Sequence, residues 1–353
     1  MALNVSPSKR FYKAALKQAS EWGTAVEVGA GDELIVTSDG DPGLRQTYAS
    51  CDAIGQVMPF DGDLSAYEPI EFAPEFGSKC GLQYAPGPIG SAIAALFGDL
   101  TAPAASGTGY SHLFEWADEM PPEAFFTFVT TRPGAIWEIP SCICNKLELK
   151  IGDGKVQGSI GLVGNSLNND PALNDEDAIA ALTPEITGAF VKFQHGVVRF
   201  NAEDGDALDA DDAVEVSDFT ITYERMTDAQ MSLGGSYISQ PKESNFKITV
   251  KLTLPYATAD NVAYLDLFTL MTAQKMDIVF TGPEYAAAEN YTLTLGFPRL
   301  KLVAPPDVKL EDIMRNGLEF VAEEAAAAPT GMTAVRPYIV FVNERAGAYL
   351  TVA

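Results

Sequence analysis

VEVSDFTITYER, residues 214–225, and SNFKITVKLTL, residues 244–254, alternate apolar and polar side chains along most of their length. In the first, Glu215, Ser217, Phe219, Ile221 and Tyr223 share one side, and Val216, Asp218, Thr220, Thr222 and Glu224 the other. In the second, Phe246, Ile248, Val250, Leu252 and Leu254 alternate with Asn245, Lys247, Thr249, Lys251 and Thr253. A period of two puts successive side chains on opposite faces of a strand. Each segment is therefore expected as a long strand with its apolar face buried and its Thr- and charge-bearing face in water. Two-faced strands of this kind belong to antiparallel sheets that cover a core on one side only. Between them runs MTDAQMSLGGSYISQPKESN (226–245), a long excursion of the sort used for contacts or function.

The same plan occurs earlier in the chain. YEPIEFAPEFGSKCGLQYAPGPIGSAIAALF (67–97) answers SQPKESNFKITVKLTLPYATADNVAYLDLF (239–268). Pro69 matches Pro241, Phe76 matches Phe246, and Leu96-Phe97 matches Leu267-Phe268, at a shift of about 170 residues. Further on, NKLELKIGDGKVQGSIGLVG (145–164) answers PRLKLVAPPDVKLEDIMRNGLEFVA (298–322) at a shift of about 150, so the first half carries an insertion of about 20 residues. VMPFDGDLSAYEPIEFAPEFG (57–77) is then the counterpart of the excursion at 226–245. A chain that repeats itself can stand for two subunits of a symmetric ring.

Each half is expected to carry one helix. PGPIGSAIAALFGDL (86–100) sets Ile89, Ile93, Leu96, Phe97 and Leu100 on one face behind an early proline. TADNVAYLDLFTLMTAQKM (258–276) does the same with Val262, Leu265, Leu267 and Phe268, with Asp260 as cap. Ser8 to Trp22 reads as a further short helix with Phe11, Ala15, Leu16 and Ala19 on one side and Lys9, Lys13 and Lys17 elsewhere. DELIVTSDGDPGLRQTY (32–48) reads as a strand and then a turn. The halves join in the Asn/Asp-rich NSLNNDPALNDEDAIAALTPEITG (165–188). The tail EEAAAAPTGMTAVRPYIVFVNERAGAYLTV (323–352) is expected as a linker plus one or two strands, and its YIVFV run needs a partner.

Bulk composition agrees with a globular chain of about two domains, since hydrophobic residues make up 47% of 353 and charged ones 20%. The formal charge of −25 is the opposite of what tight phosphate binding requires. No run of apolar residues is long enough for a membrane helix, and the N-terminus lacks the apolar core of a signal peptide. Cys51, Cys80, Cys142 and Cys144 are too sparse for a disulfide framework and read as reduced thiols of a chain folded in a cytoplasm.

No constellation of catalytic type emerges. His112 and His195 stand alone in different contexts and read as structural. Cys142-Ile143-Cys144 puts two thiols on one side of a strand but lacks a second ligand pair. EDGDALDADD (203–212) lacks the glycine and glutamate spacing of an EF-hand loop and reads as a solvated hairpin loop. Ser38–Asp41 and Asn168–Asp177 read likewise. No Walker loop, dinucleotide fingerprint or nucleophile elbow occurs. No catalytic, metal or cofactor site, and no cofactor, is expected. A two-domain β-sandwich binding module, for example for a carbohydrate, is the alternative. It needs exposed aromatics grouped on one surface, and Trp22, Trp116 and Trp137 are scattered.

The order of segments is more telling. KQASEWGTAVEV (17–28), PGPIGSAIAALFGD (86–99), SGTGYSHLFEWADEMPPEAFFTF (106–128) and IPSCICNKLELKIGDGKVQGSIGLVG (139–164) come first. VRFNAEDG (198–205), VSDFTITYERMTD (216–228), SYISQPKESNFKITVKLTL (236–254), FTGPEYAAAENYTLTLGFPRLKLV (280–303) and GLEFVAEEA (317–325) follow. Together they resemble the large, two-domain tail tube (major tail) proteins of long-tailed bacteriophages, from about residue 15 to about 325. The resemblance implies a mainly β fold, a β-sandwich or rolled barrel with one flanking α-helix per domain. The implied division is an N-terminal arm (1–22), a first tail-tube domain (23–166), a linker (167–187), a second tail-tube domain (188–324) and a C-terminal extension (325–353). The implied function is that of a structural, non-enzymatic virion protein assembled in the host cytoplasm. Its homotrimeric, pseudo-hexameric rings would stack into a tube with an acidic lumen for DNA ejection. Its partners would be further copies, the neighbouring tape-measure, terminator and distal tail proteins, and DNA that passes without tight binding; no membrane is involved. Candidate lumen-facing residues are Asp52, Asp218, Thr220, Thr222, Glu224, Lys247 and Lys251, with the two lysines set to pair with Asp218 and Glu224. Candidate ring-stacking residues are Phe60, Asp61, Tyr67, Glu68, Met231, Tyr237, Gln240 and Lys242.

Overall fold

The computed structural model describes residues 12–43, 46–51, 60–67, 69–77, 81–98, 100–121, 124–185, 189–230, 238–255, 261–286, 288–309 and 315–351. In chain order the first part holds β1 (Ala14–Ala19), β2 (Ala30–Gly31), β3 (Gln46–Cys51), β4 (Phe60–Tyr67), β5 (Ile70–Phe72), β6 (Glu75–Phe76), α1 (Pro88–Phe97), β7 (Ala104–Ser106), β8 (Gly109–Glu115), β9 (Phe125–Arg132), β10 (Ala135–Gly152) and β11 (Lys155–Gly164). The second holds β12 (Asn168–Asn169), α2 (Glu176–Ala181), β13 (Thr183–Pro184), β14 (Gly196–Ala202), β15 (Ala213–Val214), β16 (Asp218–Asp228), β17 (Lys242–Leu254), α3 (Asn261–Thr269), β18 (Gln274–Ala286), β19 (Glu289–Leu302), β20 (Asp307–Lys309), β21 (Arg315–Glu323) and β22 (Tyr338–Asn343). The chain is mainly antiparallel β with few helices, as the alternation predicts.

Two long strands set the architecture. β10 begins beside β9, then passes register shifts between Ile139 and Cys142 and between Cys144 and Lys146. Beyond them it lies between β11 and β16. Such shifts bend a strand, and here they carry β10 from one layer to another. β19 behaves alike: its first part lies between β18 and β22, and its last residues lie beside β21. Side chains from both layers, including Leu16, Phe128, Ile139, Leu147 and Ile160 in the first half and Ile221, Val250, Ile278, Leu295 and Phe320 in the second, meet in one core. Both stretches matched at 145–164 and 298–322 are pairs of antiparallel strands.

Several local expectations need correction. The segment expected as an N-terminal helix contains the strand β1, paired with β9 from Ala14↔Thr130 to Ala19↔Phe125. The helical pattern of Ala15, Leu16 and Ala19 is equally served by a strand covered on both faces, and all three are buried. Phe246 does not join the core. It is 52% exposed and leans on Trp116, because β17 runs on past the core edge at the register shift near Arg225. The polar segment between the halves contains α2, capped by Asp175, whose carboxylate accepts from the Asp177 and Ala178 N–H groups. Buried Asn174 ties it down by donating to Glu138 and the Val26 carbonyl and accepting from the Val28 N–H.

The YIVFV run finds its partner within the chain. β22 inserts between β19 and β8, from Thr292↔Val342 to Gly296↔Tyr338 on one side and Asn343↔Tyr110 to Tyr338↔Glu115 on the other. The first half thereby lends β7 and β8 to the outer layer of the second.

Candidate functional site

The polar faces of β16 and β17 fall where alternation places them. Phe219, Ile221 and Tyr223 are buried, while Asp218 is exposed and Thr220, Thr222 and Glu224 are half-buried. Lys247 and Lys251 are exposed, and Thr249 between them is 9% exposed. Asp52, Glu68, Met231 and Tyr237 lie outside the described residues, and Phe60, Asp61 and Tyr67 fall on β4. Gln240 and Lys242 are exposed at the start of β17. In the first excursion β3 and β4 are paired antiparallel ahead of β5; most of the second lies outside the described residues.

Around β16 and β17 the ladders form a sheet wider than either half. One transverse row crosses it in register: Ser38↔Glu75, Glu75↔Ser159, Ser159↔Glu148, Glu148↔Thr222, Thr222↔Thr249, Thr249↔Val321, Val321↔Lys301. The order of strands is therefore the segment at Val36–Ser38, β6, β11, β10, β16, β17, β21, β19. The halves meet at β10 and β16, where Lys146↔Glu224 through Lys150↔Thr220 are paired. At its outer ends, among the described residues, no ladder lies on the far side of Val36–Ser38 or of Lys301–Val303.

The wet face carries both signs rather than acid alone. Lys150 Nζ lies 3.4 Å from Glu148, Lys251 3.3 Å from Glu319 and Lys301 3.0 Å from Glu323. Arg299 reaches Glu203 at 2.7 Å and Glu323 at 3.1 Å. These carboxylates hold Arg299 above its usual value, and Lys301 and Arg299 together pull Glu323 below its own against the opposing effect of burial. Lys251 thus pairs along the sheet with Glu319. Lys247 stands opposite Glu224 in the ladder. Exposed pairs contribute about 0–1 kcal/mol each, so their effect is compensation of charge more than stability.

Beneath the face, the joint between halves is organised by Arg225. Tyr223 points in and Glu224 out, so Arg225 takes a buried position, 2% exposed. Its Nε donates to the Leu96 carbonyl at 2.8 Å, and Nη2 to the carbonyls of Ala117 at 2.6 Å and Phe97 at 3.3 Å. Nη1 donates to Glu243 at 2.8 Å, and the guanidinium sits 4.4 Å over the Trp116 ring. Burial pulls its pKa below the usual arginine range, opposed by Glu243. The second half thus caps the C-terminus of the first half's helix, where carbonyls lack intrahelical donors. Phe97 packs on Tyr223 and Trp116, both at 5.1 Å. Sequence reasoning missed Arg225; its signal was a cation at an inward position of the alternating run.

The histidines and cysteines lie apart from this face. His195 Nδ1 lies 3.1 Å from the Tyr84 hydroxyl, and His112 Nε2 lies 3.0 Å from the Arg345 carbonyl. Burial pulls both imidazoles below the usual histidine value. Cys142 and Cys144 are free buried thiols, and no group of metal-ligating residues occurs among the described residues. Residues 203–212 connect the paired strands β14 and β15, as a hairpin loop does. Trp116 is interior, Trp22 packs on Phe125, and Trp137 lies under the Arg132 guanidinium.

A family model matches most of this mainly β chain. The model of the phage tail tube protein family covers residues 11–336. The chain belongs to that family. No curated protein matches it. As a tail tube protein it is a structural component of a phage virion, and such proteins self-assemble into a tube with other tail proteins. No helix among the described residues is long and apolar enough to cross a membrane.

Proposed function

We propose that this tail tube protein forms homotrimeric, pseudo-hexameric rings that stack around a lumen, with the wet face of the eight-strand run as the lumen wall. The observation that carries the reading is the β10–β16 ladder, which fuses the sheets of two similar halves into one. A sheet that already joins two units across a ladder needs only the same step between copies to close. Three copies then supply six similar units. The lumen residues proposed are Asp218, Thr220, Thr222, Glu224, Lys247 and Lys251, with Asp52 as a further candidate. The excursions carrying Phe60, Asp61, Tyr67 and Glu68, and Met231, Tyr237, Gln240 and Lys242, are proposed to reach the next ring.

The charge pattern supports passage of DNA without binding. Tight binding to phosphates releases counterions from the nucleic acid when lysines and arginines neutralise it. Here Lys150, Lys251, Arg299 and Lys301 each already have a carboxylate within 4 Å. The wall is thus expected to be compensated locally, within a chain whose overall charge of −25 repels DNA. Tape-measure, terminator and distal tail proteins are proposed as the partners at the tube's interior and ends, and the host cytoplasm as the place of assembly.

Electron microscopy of the purified protein with symmetry analysis of end-on views tests the reading. Hollow tubes or rings with three-fold symmetry and six similar lobes are expected. Six chains per ring would keep the tube and remove the pseudo-hexamer. Compact monomers at every concentration would overturn the assembly reading and favour a binding module.

A further inference from the structure

Resting on the tube reading above, we propose which edges meet between copies: Lys301–Val303 of one copy pairs with Val36–Ser38 of the next, and the joint covers α3. The eight-strand run ends in these two segments, and neither has a ladder on its outer side among the described residues. The chain itself contains the template. β10 and β19 hold the same place in their halves: each passes from the outer layer to the polar sheet, beside β11 and β21 respectively. β10 then receives β16 on the edge it earlier gave to β9. β19 gives the corresponding edge to β18 as far as Gln274↔Leu300, and from Lys301 onward that edge is open. The segment at Val36–Ser38 holds the place of β16. It lies outside β6 as β16 lies outside β17, with the Thr37 N–H donating to the Glu75 carbonyl at 2.7 Å and the Glu75 N–H to the Ser38 carbonyl at 2.9 Å. Because Glu148 faces Thr222 at the internal joint, Lys301 faces Ser38 of the next copy at the external one.

The helices supply an independent observation. α1 is buried from Ile89 to Phe97 apart from Ser91: β10, β1 and β8 pack along it, and Tyr223 and Arg225 of β16 cover its C-terminal end. α3 matches α1 in sequence but has no such cover. Leu265 is 46% exposed, and Leu270 and Met271 just beyond the helix are 73% and 53% exposed. Leu265 was expected on the buried face; the single chain leaves it uncovered. A partner that repeats the internal joint brings its first half against the C-terminal end of this helix, where Leu265, Leu270 and Met271 lie, as Tyr223 and Arg225 are brought against the end of α1. Exposed edges and apolar helix faces are hazards that a closed ring removes.

The test is covalent capture in assembled rings. Ser38→Cys and Lys301→Cys are introduced together in a Cys51→Ser, Cys80→Ser background, and treated with a short flexible bismaleimide. Trimers linked end to end are expected on denaturing gels, with only monomers from either single variant. Rings or tubes that form without the link would overturn the proposed edges while leaving the tube reading intact. Failure of the parent protein to form rings at any concentration would overturn the tube reading instead. A second variant, Leu265→Glu with Leu270→Glu, is expected to stop ring formation with an unchanged thermal midpoint. Normal rings from it would overturn the covering of α3.

Discussion

Replacing Arg225 with Met tests whether the two halves hold each other through one capped helix. The substitution removes donors to the carbonyls of Leu96, Phe97, Ala117 and Asp118. Phe97 keeps the Ala117 N–H as a donor at 2.7 Å, so its carbonyl is not orphaned. The buried carbonyl of Leu96 is the main loss, at about 1–3 kcal/mol, and the part-buried carbonyl of Ala117 adds somewhat less. The Glu243 carboxylate loses its partner but is partly solvated, with its side chain 29% exposed, so its share is small. Relief from burying the guanidinium offsets part of the sum. The net expectation is a loss of about 2–4 kcal/mol. Against a typical stability of about 5–15 kcal/mol, that is a large share. Arg225→Lys, which keeps a point charge but not the fork, should lose about half as much. Urea denaturation of dilute, unassembled protein measures both. Arg299→Met is the control: its ion pairs are partly exposed, so a loss below about 1 kcal/mol is expected. If Arg225→Met lost no more than Arg299→Met, the capped joint would not be what holds the halves together.

Two further outcomes follow from buried groups. The Tyr223 hydroxyl is buried without a hydrogen-bond partner, and burial holds it well above the usual tyrosine range. Tyr223→Phe should therefore raise stability by about 1 kcal/mol in the same urea assay, and a loss of that size would mean the hydroxyl is satisfied. Burial pushes the Cys144 thiol up to about 12, and the Cys142 thiol, further raised by its neighbour, is also held well above its ordinary value. At pH 8 both are protonated in the folded chain, so iodoacetamide should modify them only on unfolding. Modification at the rate of a free thiol would contradict their enclosure.

The strands were legible where one face meets water and the other meets the core. Phe219, Ile221 and Tyr223 are buried and Thr220, Thr222 and Glu224 are not, because nothing but period two governs a sheet with a single core face. β1 was not legible. With Ala14, Ala15 and Leu16 all buried in succession, the alternation disappears and the remaining spacing imitates a helix. α2 was overlooked because the composition around it is that of a loop, although Asn174-Asp175-Glu176-Asp177 ahead of Ala178 and Ile179 is a helix start. The helix of the first half was read where it lies but carried too far, since Gly98 adopts φ 78° and stops it after Phe97. Leu100, counted on its buried face, lies beyond that stop and is 45% exposed.

The polar face was harder to read, for a reason that bears on function. Composition gave −25 for the chain and suggested an acidic wall, but composition cannot say how charge is distributed among surfaces. Lateral neighbours in a sheet come from strands remote in sequence. Lys251 meets Glu319 and Arg299 meets Glu203, separations that no local pattern reveals. Once those neighbours are known, the inference about DNA changes in kind. An acidic wall excludes phosphates at a distance, and salt screens that repulsion within about 8–10 Å. A wall on which Lys150, Lys251, Arg299 and Lys301 are each paired offers little net field at longer range and few free cations at contact. Its slipperiness should therefore depend weakly on ionic strength. Opening one pair, as Glu319→Gln does to Lys251, should create a phosphate-binding point on the assembled tube. Its retention of short duplex DNA should rise at low salt and vanish at high salt. Equal retention by Glu319→Gln and parent tubes at every salt concentration would refute the view that local pairing keeps this wall from binding DNA.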